Sequence, residues 1–145
     1  MKKLLLFSLI SICLATASAQ VINVPSKAQK HFQEKYVGAS EIDWTNSVVS
    51  YVAKFKMGND FCKAHYKIDG TWDYTEKFIS KDSIPAPAKE SFSKSKYREW
   101  EVKTVAICEY PKKAKLVRIE AHKGISTTYV YFDKDGNLVK TSATL

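Results

Sequence analysis

Apolar residues recur along this chain with two different periods, and the period switches twice. Ala28, Phe32 and Tyr36 follow one another every four residues after Val24-Pro25, and Ala88, Phe92 and, after a one-residue slip, Tyr97 do the same after Ile84-Pro85. That spacing marks one buried face of a helix. Proline suits the first turn, where its missing donor would be unpaired anyway.

After each helix the period becomes two. Tyr51, Ala53, Phe55 and Met57 alternate with Val52, Lys54 and Lys56, and Cys62, Ala64, Tyr66 and Ile68 alternate with Lys63, His65 and Lys67. Such alternation predicts half-buried antiparallel strands. Gly58-Asn59-Asp60 supplies a turn, and Asp69-Gly70 before Trp72-Asp73-Tyr74-Thr75 is a hairpin signal. Trp72 shares parity with Tyr74 and reads as core. The second half repeats the order, with Val117 to Ala121, a turn near Lys123-Gly124, Thr128 to Phe132, Asp135-Gly136 and Leu138 to Thr141; shorter strands are expected at Glu41 to Trp44 and Glu101 to Ile107.

The fold class this predicts is α+β: two tandem repeats, each one helix packed on about four antiparallel strands. Residues 20–80 form the first repeat and 81–145 the second. A unit of about 60 residues buries a marginal fraction of its surface, so two packed copies are expected rather than beads on a string.

Met1 to Gln20 has two lysines, an apolar run from Leu4 to Leu14 and small residues ending at Ala17-Ser18-Ala19. That is the pattern of a secretory signal peptide, residues 1–19, cleaved between Ala19 and Gln20. The run is too short for the roughly 20 apolar residues of a membrane span, so no transmembrane anchor is expected after its removal. Cys13 follows the bulky Ile12, which argues against a lipoprotein. The expected location is outside the cytoplasm, periplasmic or secreted.

The 145 residues carry 23 Lys plus Arg against 15 Asp plus Glu, a net charge of +8. Lys2 and Lys3 would leave with the signal. Arg98 and Arg118 are the only arginines, whereas nucleic-acid readers favour the guanidinium fork; no nucleic-acid partner is expected. Cys62 and Cys108 are a candidate disulfide in an oxidising compartment, with buried free thiols as the equal alternative.

No metal is expected, because His31, His65 and His122 lack ligand spacing. No cofactor is expected either, since no phosphate loop or dinucleotide fingerprint occurs. His31 reads as a helix-surface residue. Cys62 and His65 fall on opposite faces of a regular strand, so they make no nucleophile pair. The run Asp133 to Asn137 lacks the acidic twelfth residue of a calcium loop, Thr144 standing there.

In order, Val24-Pro25, Phe32 and Tyr36, Ile42-x-Trp44, Tyr51-x-Ala53-x-Phe55, Tyr66-x-x-Asp69-Gly70-x-Trp72, Ile84-Pro85 and Tyr131-Phe132-Asp133-x-Asp135-Gly136-x-Leu138 resemble the beta-lactamase-inhibitor-like, PepSY-like proteins exported by bacteria. The resemblance implies a fold related to beta-lactamase inhibitor protein and a non-enzymatic, secreted or periplasmic binding module. It brings no catalytic residues to carry over. Lys115 stands where the first half has Tyr51, a departure from the pattern.

The expected site is then a surface. If the helices cover one side of the sheet, Lys54, Lys56, Lys63, His65 and Lys67 point the other way with Arg118, Glu120, Tyr129 and Tyr131. Tyrosine and arginine among lysines suit recognition of an envelope or extracellular protein. Trp44 joins the list of candidate contacts as an aromatic near a helix-strand junction. The alternative is an envelope structural or stress-related protein whose basic face contacts anionic glycan or a membrane surface.

Overall fold

The computed structural model describes residues 22–144; the signal peptide, Cys13 and the Ala19–Gln20 cleavage point lie outside them. Helix α1 spans Ser26–Lys35 and is followed by strands β1 (Ser40–Asn46), β2 (Ser50–Met57), β3 (Asp60–Lys67) and β4 (Trp72–Ile79). A single 3-10 turn, Lys81–Ser83, leads into α2 (Ala86–Lys94), and then come β5 (Glu101–Glu109), β6 (Leu116–Lys123), β7 (Ser126–Phe132) and β8 (Leu138–Thr144). Each half is therefore one helix followed by four strands.

The eight strands form one antiparallel sheet in chain order, β1 through β8. β4 and β5 pair directly, from Thr75 opposite Glu109 to Ile79 opposite Val105. A single hydrogen-bonded layer thus runs through both halves.

Both helices lie on the same side of this layer. α1 buries Ala28 and Phe32 against Ala53, Phe55, Cys62, Ala64 and Tyr66, and α2 buries Ala88 and Phe92 against Val105, Val117, Ile119, Val130 and Phe132. The four-residue stripe and the alternate strand positions meet as their periods dictate. Phe32 stacks edge-on to Phe55, ring centroids 4.9 Å apart, and burying a side chain of that size contributes roughly 2 kcal/mol. Tyr36 and Tyr97 lie just beyond their helices yet still pack on the two cores, so each aromatic stripe outlasts its helix.

The two Asp-Gly turns hold the helix starts. Gly70 and Gly136 have φ of +79° and +84°, a region open to glycine without steric cost. A Cβ on Gly70 would lie 3.0 Å from Pro25 Cβ and 3.1 Å from the Ala28 nitrogen, and one on Gly136 would lie 2.6 Å from the Pro87 carbonyl oxygen. In both halves the β-turn backbone rests directly on the first turn of the helix.

Three expectations change. Trp72 lies opposite Tyr66 while Tyr74 lies opposite His65, with a register shift between the pairs; Asp73 is the extra residue, so Trp72 packs on the helix side and Tyr74 faces away. His31 is not a plain surface residue, for its ring stacks on Trp72 at 5.2 Å and its Nδ1 lies 3.1 Å from the Tyr66 hydroxyl. Ile68 is 57% exposed, because β3 ends at Lys67 and the turn takes over.

Candidate functional site: the helix-free face of the sheet

With both helices on one side, the residues of opposite parity form the other face. Lys54, Lys56, Lys63, His65, Lys67, Arg118, Glu120, Tyr129 and Tyr131 all lie on it, as the register of β2 with β3 and of β6 with β7 requires. Trp44 does not. It stands opposite Ala53 and packs against Phe32 and Tyr66 on the helix side, because strand parity overrides its nearness to a helix junction.

The centre of the face is a buried ionic network. Glu76 of β4, 5% exposed, receives Arg118 Nη1 of β6 at 3.0 Å and His65 Nε2 of β3 at 3.2 Å. Arg118 must cross β5 to make this contact, and the residues beneath it are Ala106 and Cys108, small enough to leave the path clear. Burial alone would raise the Glu76 carboxyl; the His65 hydrogen bond and the Arg118 charge outweigh it and hold the group below the usual carboxylate range. A branch continues outward, where Thr104 Oγ1 donates to Glu120 at 2.6 Å and His122 Nε2 lies 2.8 Å from the other Glu120 oxygen.

Aromatic rings roof this network in two stripes. In one, Phe61 packs on Phe78 at 5.4 Å, with Lys63 Nζ 5.1 Å from the Phe78 centroid. The Arg118 guanidinium lies between Phe78 at 5.6 Å and Tyr129 at 4.9 Å. In the other, His65 stacks flat on Tyr74 at 4.1 Å and Tyr74 stacks on Tyr110 at 5.5 Å. Lys140 Nζ then sits 4.5 Å from the Tyr131 centroid. Each stripe thus joins packed rings to a cation seated on a ring face, a contact stabilised by the ring quadrupole.

Arg118 is consequently 8% exposed and does not offer its charge to a partner as the sequence suggests. It positions Tyr129 and Phe78. Its Nε has no hydrogen-bond partner.

Of the two alternatives for the cysteines, the structure has the free thiols. Cys62 pairs with Lys77 and Cys108 with Glu76, adjacent positions on β4, so the two thiols project from opposite faces of the sheet. β4 also separates their strands by two inter-strand spacings, about 9.6 Å, beyond the reach of a disulfide. Burial, with the Glu76 carboxylate adding to it, pushes the Cys108 thiol up to about 12, and burial raises Cys62 too. Neither is a ready nucleophile. Among the described residues no group of three or more His, Cys, Asp or Glu could hold a metal ion, and no helix is long and apolar enough to cross a membrane.

The family described as "Putative beta-lactamase-inhibitor-like, PepSY-like" matches residues 49–140, from the end of the first hairpin turn into β8. The chain belongs to this PepSY-like family. No curated protein matches its sequence. Among solved structures, a DUF2874 family protein from Bacteroides ovatus ATCC 8483 superposes with a TM-score of 0.73 at 22% identity, over 84% of this chain and 89% of that one. A BLIP-like protein from Bacteroides fragilis NCTC 9343 gives 0.70 at 24% identity, over 82% and 86%. A protein from Bacteroides eggerthii DSM 20697 described as "putative periplasmic" gives 0.71 at 21% identity, over 83% and 88%. At these identities the likeness is one of fold. The PepSY-like chain thus has the α+β, BLIP-like architecture that the resemblance implies.

Sequence reasoning missed Phe61, Tyr74, Glu76, Phe78, Tyr110 and Lys140 on the open face. For Tyr74, Glu76 and Phe78 the signal was an alternation in β4 that becomes readable only once Asp73 is counted as a bulge. Glu76 carries no mark in the sequence, since it is buried by partners from β3 and β6.

Proposed function

We propose that this protein is an exported, non-enzymatic binding module, inhibitor-like in build, which docks an envelope or extracellular protein on the helix-free face of its sheet. One observation carries the reading: Tyr74, Tyr110, Tyr129 and Tyr131 are half-buried on that face, the first two stacked on neighbouring rings and the last two each beneath a cation. Rings already fixed in place supply contact area with little side-chain ordering left to do on binding. The inhibitor-like family and the Met1 to Ala19 leader pattern support it. The halves, residues 20–80 and 81–145, are read as two copies of one unit, in keeping with the equivalent seats of Gly70 and Gly136 against α1 and α2.

The reading as a basic face for anionic glycan or membrane is the weaker, because part of its charge is neutralised locally. Lys56 Nζ lies 2.7 Å from Glu41 and Lys54 Nζ lies 3.7 Å from Asp43. The deciding experiment is capture of the partner from native envelope, repeated with Tyr129→Ala/Tyr131→Ala. Capture that survives about 0.5 M salt and falls at least about tenfold in the folded double variant is the expected result. Unchanged capture by that variant removes the open face as the site, and loss of binding in salt alone favours the basic-surface reading.

A further inference from the structure

Where the open face meets the β5–β6 and β7–β8 turns, the surface sinks into a pocket of about 390 Å³, at the lower end of the range for small-molecule sites. Tyr110, Ala114, Leu116 and Val139 make its apolar wall, and Lys113 and Lys140 stand with them. Val139, itself half-exposed, borders the pocket for a definable reason. Leu138 pairs with Phe132 and Lys140 with Tyr131, so Val139 is the extra residue of a bulge, the device that re-aims a side chain at a sheet edge.

Neither cation is ion-paired, and the nearby carboxylates are turned to other partners, so the pocket's two ammonium groups outnumber its one carboxylate, Asp133. Asp133, which borders the pocket, spends Oδ1 on the backbone nitrogens of Asp135 and Asn137 and Oδ2 on the Asn137 side chain, each at 2.9 Å. Glu109 takes Lys35 at 2.7 Å and Lys115 at 3.4 Å, and Asp135 takes Lys134 at 2.8 Å. Lys140 instead rests over Tyr131, with Tyr110 at 5.9 Å, an arrangement that holds the ammonium at the pocket while its donors stay free. An apolar wall flanked by two unpaired ammonium groups, in excess over the single Asp133 carboxylate, is complementary to a molecule that is apolar at one end and anionic at the other.

We propose that this pocket binds a small amphipathic carboxylate, its aliphatic or aromatic body against Tyr110, Leu116 and Val139 and its carboxylate held by Lys113 and Lys140. The site does not depend on a protein partner for the rest of the face. The same chemistry is presented by a free acyl chain and by the C-terminus of a peptide ending in a large apolar residue, and the two sources can be separated.

The exported protein, labelled with 15N, is titrated with decanoate below its micelle-forming concentration, with N-acetyl-leucyl-phenylalanine bearing a free carboxylate, and with decyltrimethylammonium. The anions are expected to shift the amides of residues 110–116 and 138–140 in a saturable way, and the cation is not. Lys113→Gln/Lys140→Gln should weaken the bound anion at least about tenfold, the worth of one lost charge-assisted hydrogen bond, with amide shifts elsewhere unchanged; Lys140→Arg should keep most of the affinity. Response to decanoate alone assigns an acyl source, and response to the dipeptide alone assigns a peptide source. No saturable shift with either anion, an equal response to the cation, or full affinity in the double glutamine variant overturns the proposal.

Discussion

Arg118 Nη1 lies 3.0 Å from Glu76 Oε1 with the whole of β5 between their strands. The pair stitches the second half of the chain to the first on the open face, while Lys35 of α1 does the same on the helix side by reaching Glu109 of β5. Removing one partner of a buried pair strands the other charge, at a cost of about 3–5 kcal/mol. Arg118→Ala is expected to lower the free energy of unfolding in urea by about 3 kcal/mol or more, whereas Glu76→Leu/Arg118→Leu should recover most of the loss. Equal losses in the single and double variants would show that packing over β5, and not charge, is what Arg118 supplies.

Glu76 also sets an acid limit. Its folded pKa is depressed below the ordinary 4.5, so the stability it contributes is fully present above about pH 4.5 and is lost as pH falls through the lower, folded value. Stability curves in urea from pH 7 to pH 3 should therefore steepen below about pH 4.5 in the native protein and less so in Glu76→Gln. Parallel curves would place the acid sensitivity elsewhere, for example at Glu120 or Glu109, whose carboxyls are also held low.

Cys62 and Cys108 sit 4% and 0% exposed. At pH 8 the folded protein should leave both unmodified by a thiol reagent over a period in which the urea-unfolded protein reacts at both. Non-reducing mass spectrometry should show Cys62 and Cys108 as free thiols. A mass lower by two hydrogens and absence of titratable thiol after unfolding would contradict the strand register.

Gly136 and Gly58 separate two effects of adding a methyl group. Both have positive φ, but nothing lies within 4 Å of a Cβ at Gly58, while at Gly136 the Pro87 backbone blocks it. Gly58→Ala should cost about 1–2 kcal/mol from backbone strain alone, and Gly136→Ala clearly more, read as the shift in urea midpoint. Equal costs would mean that the turn does not bear on α2.

Phe32→Ala opens the first core, where the ring meets Phe55 and Trp44. A loss of about 3–5 kcal/mol is expected, together with a red shift of tryptophan emission as Trp44 gains solvent.

The helices, the strands and the sidedness of the open face were legible because each rests on a period: Phe32 and Phe92 point inward by the helical repeat, Lys63 and His65 outward by the strand repeat. What escaped depends on relations between distant strands. The bulge at Asp73, which sends Trp72 and Tyr74 to opposite faces, is invisible without the β3 register. Glu76 looks like any surface acid until His65 and Arg118 are brought to it, and Trp44 is assigned by its pairing with Ala53. The face was readable from local alternation; the network that organises it was not.

The direct β4–β5 ladder has a mechanical consequence. Hinging one half on the other would break the backbone hydrogen bonds between Thr75–Ile79 and Val105–Glu109 and prise Arg118 from Glu76, so the two halves are held as one body. On the docking role proposed above, discrimination would lie in a shape fixed before encounter, not in mutual moulding afterwards.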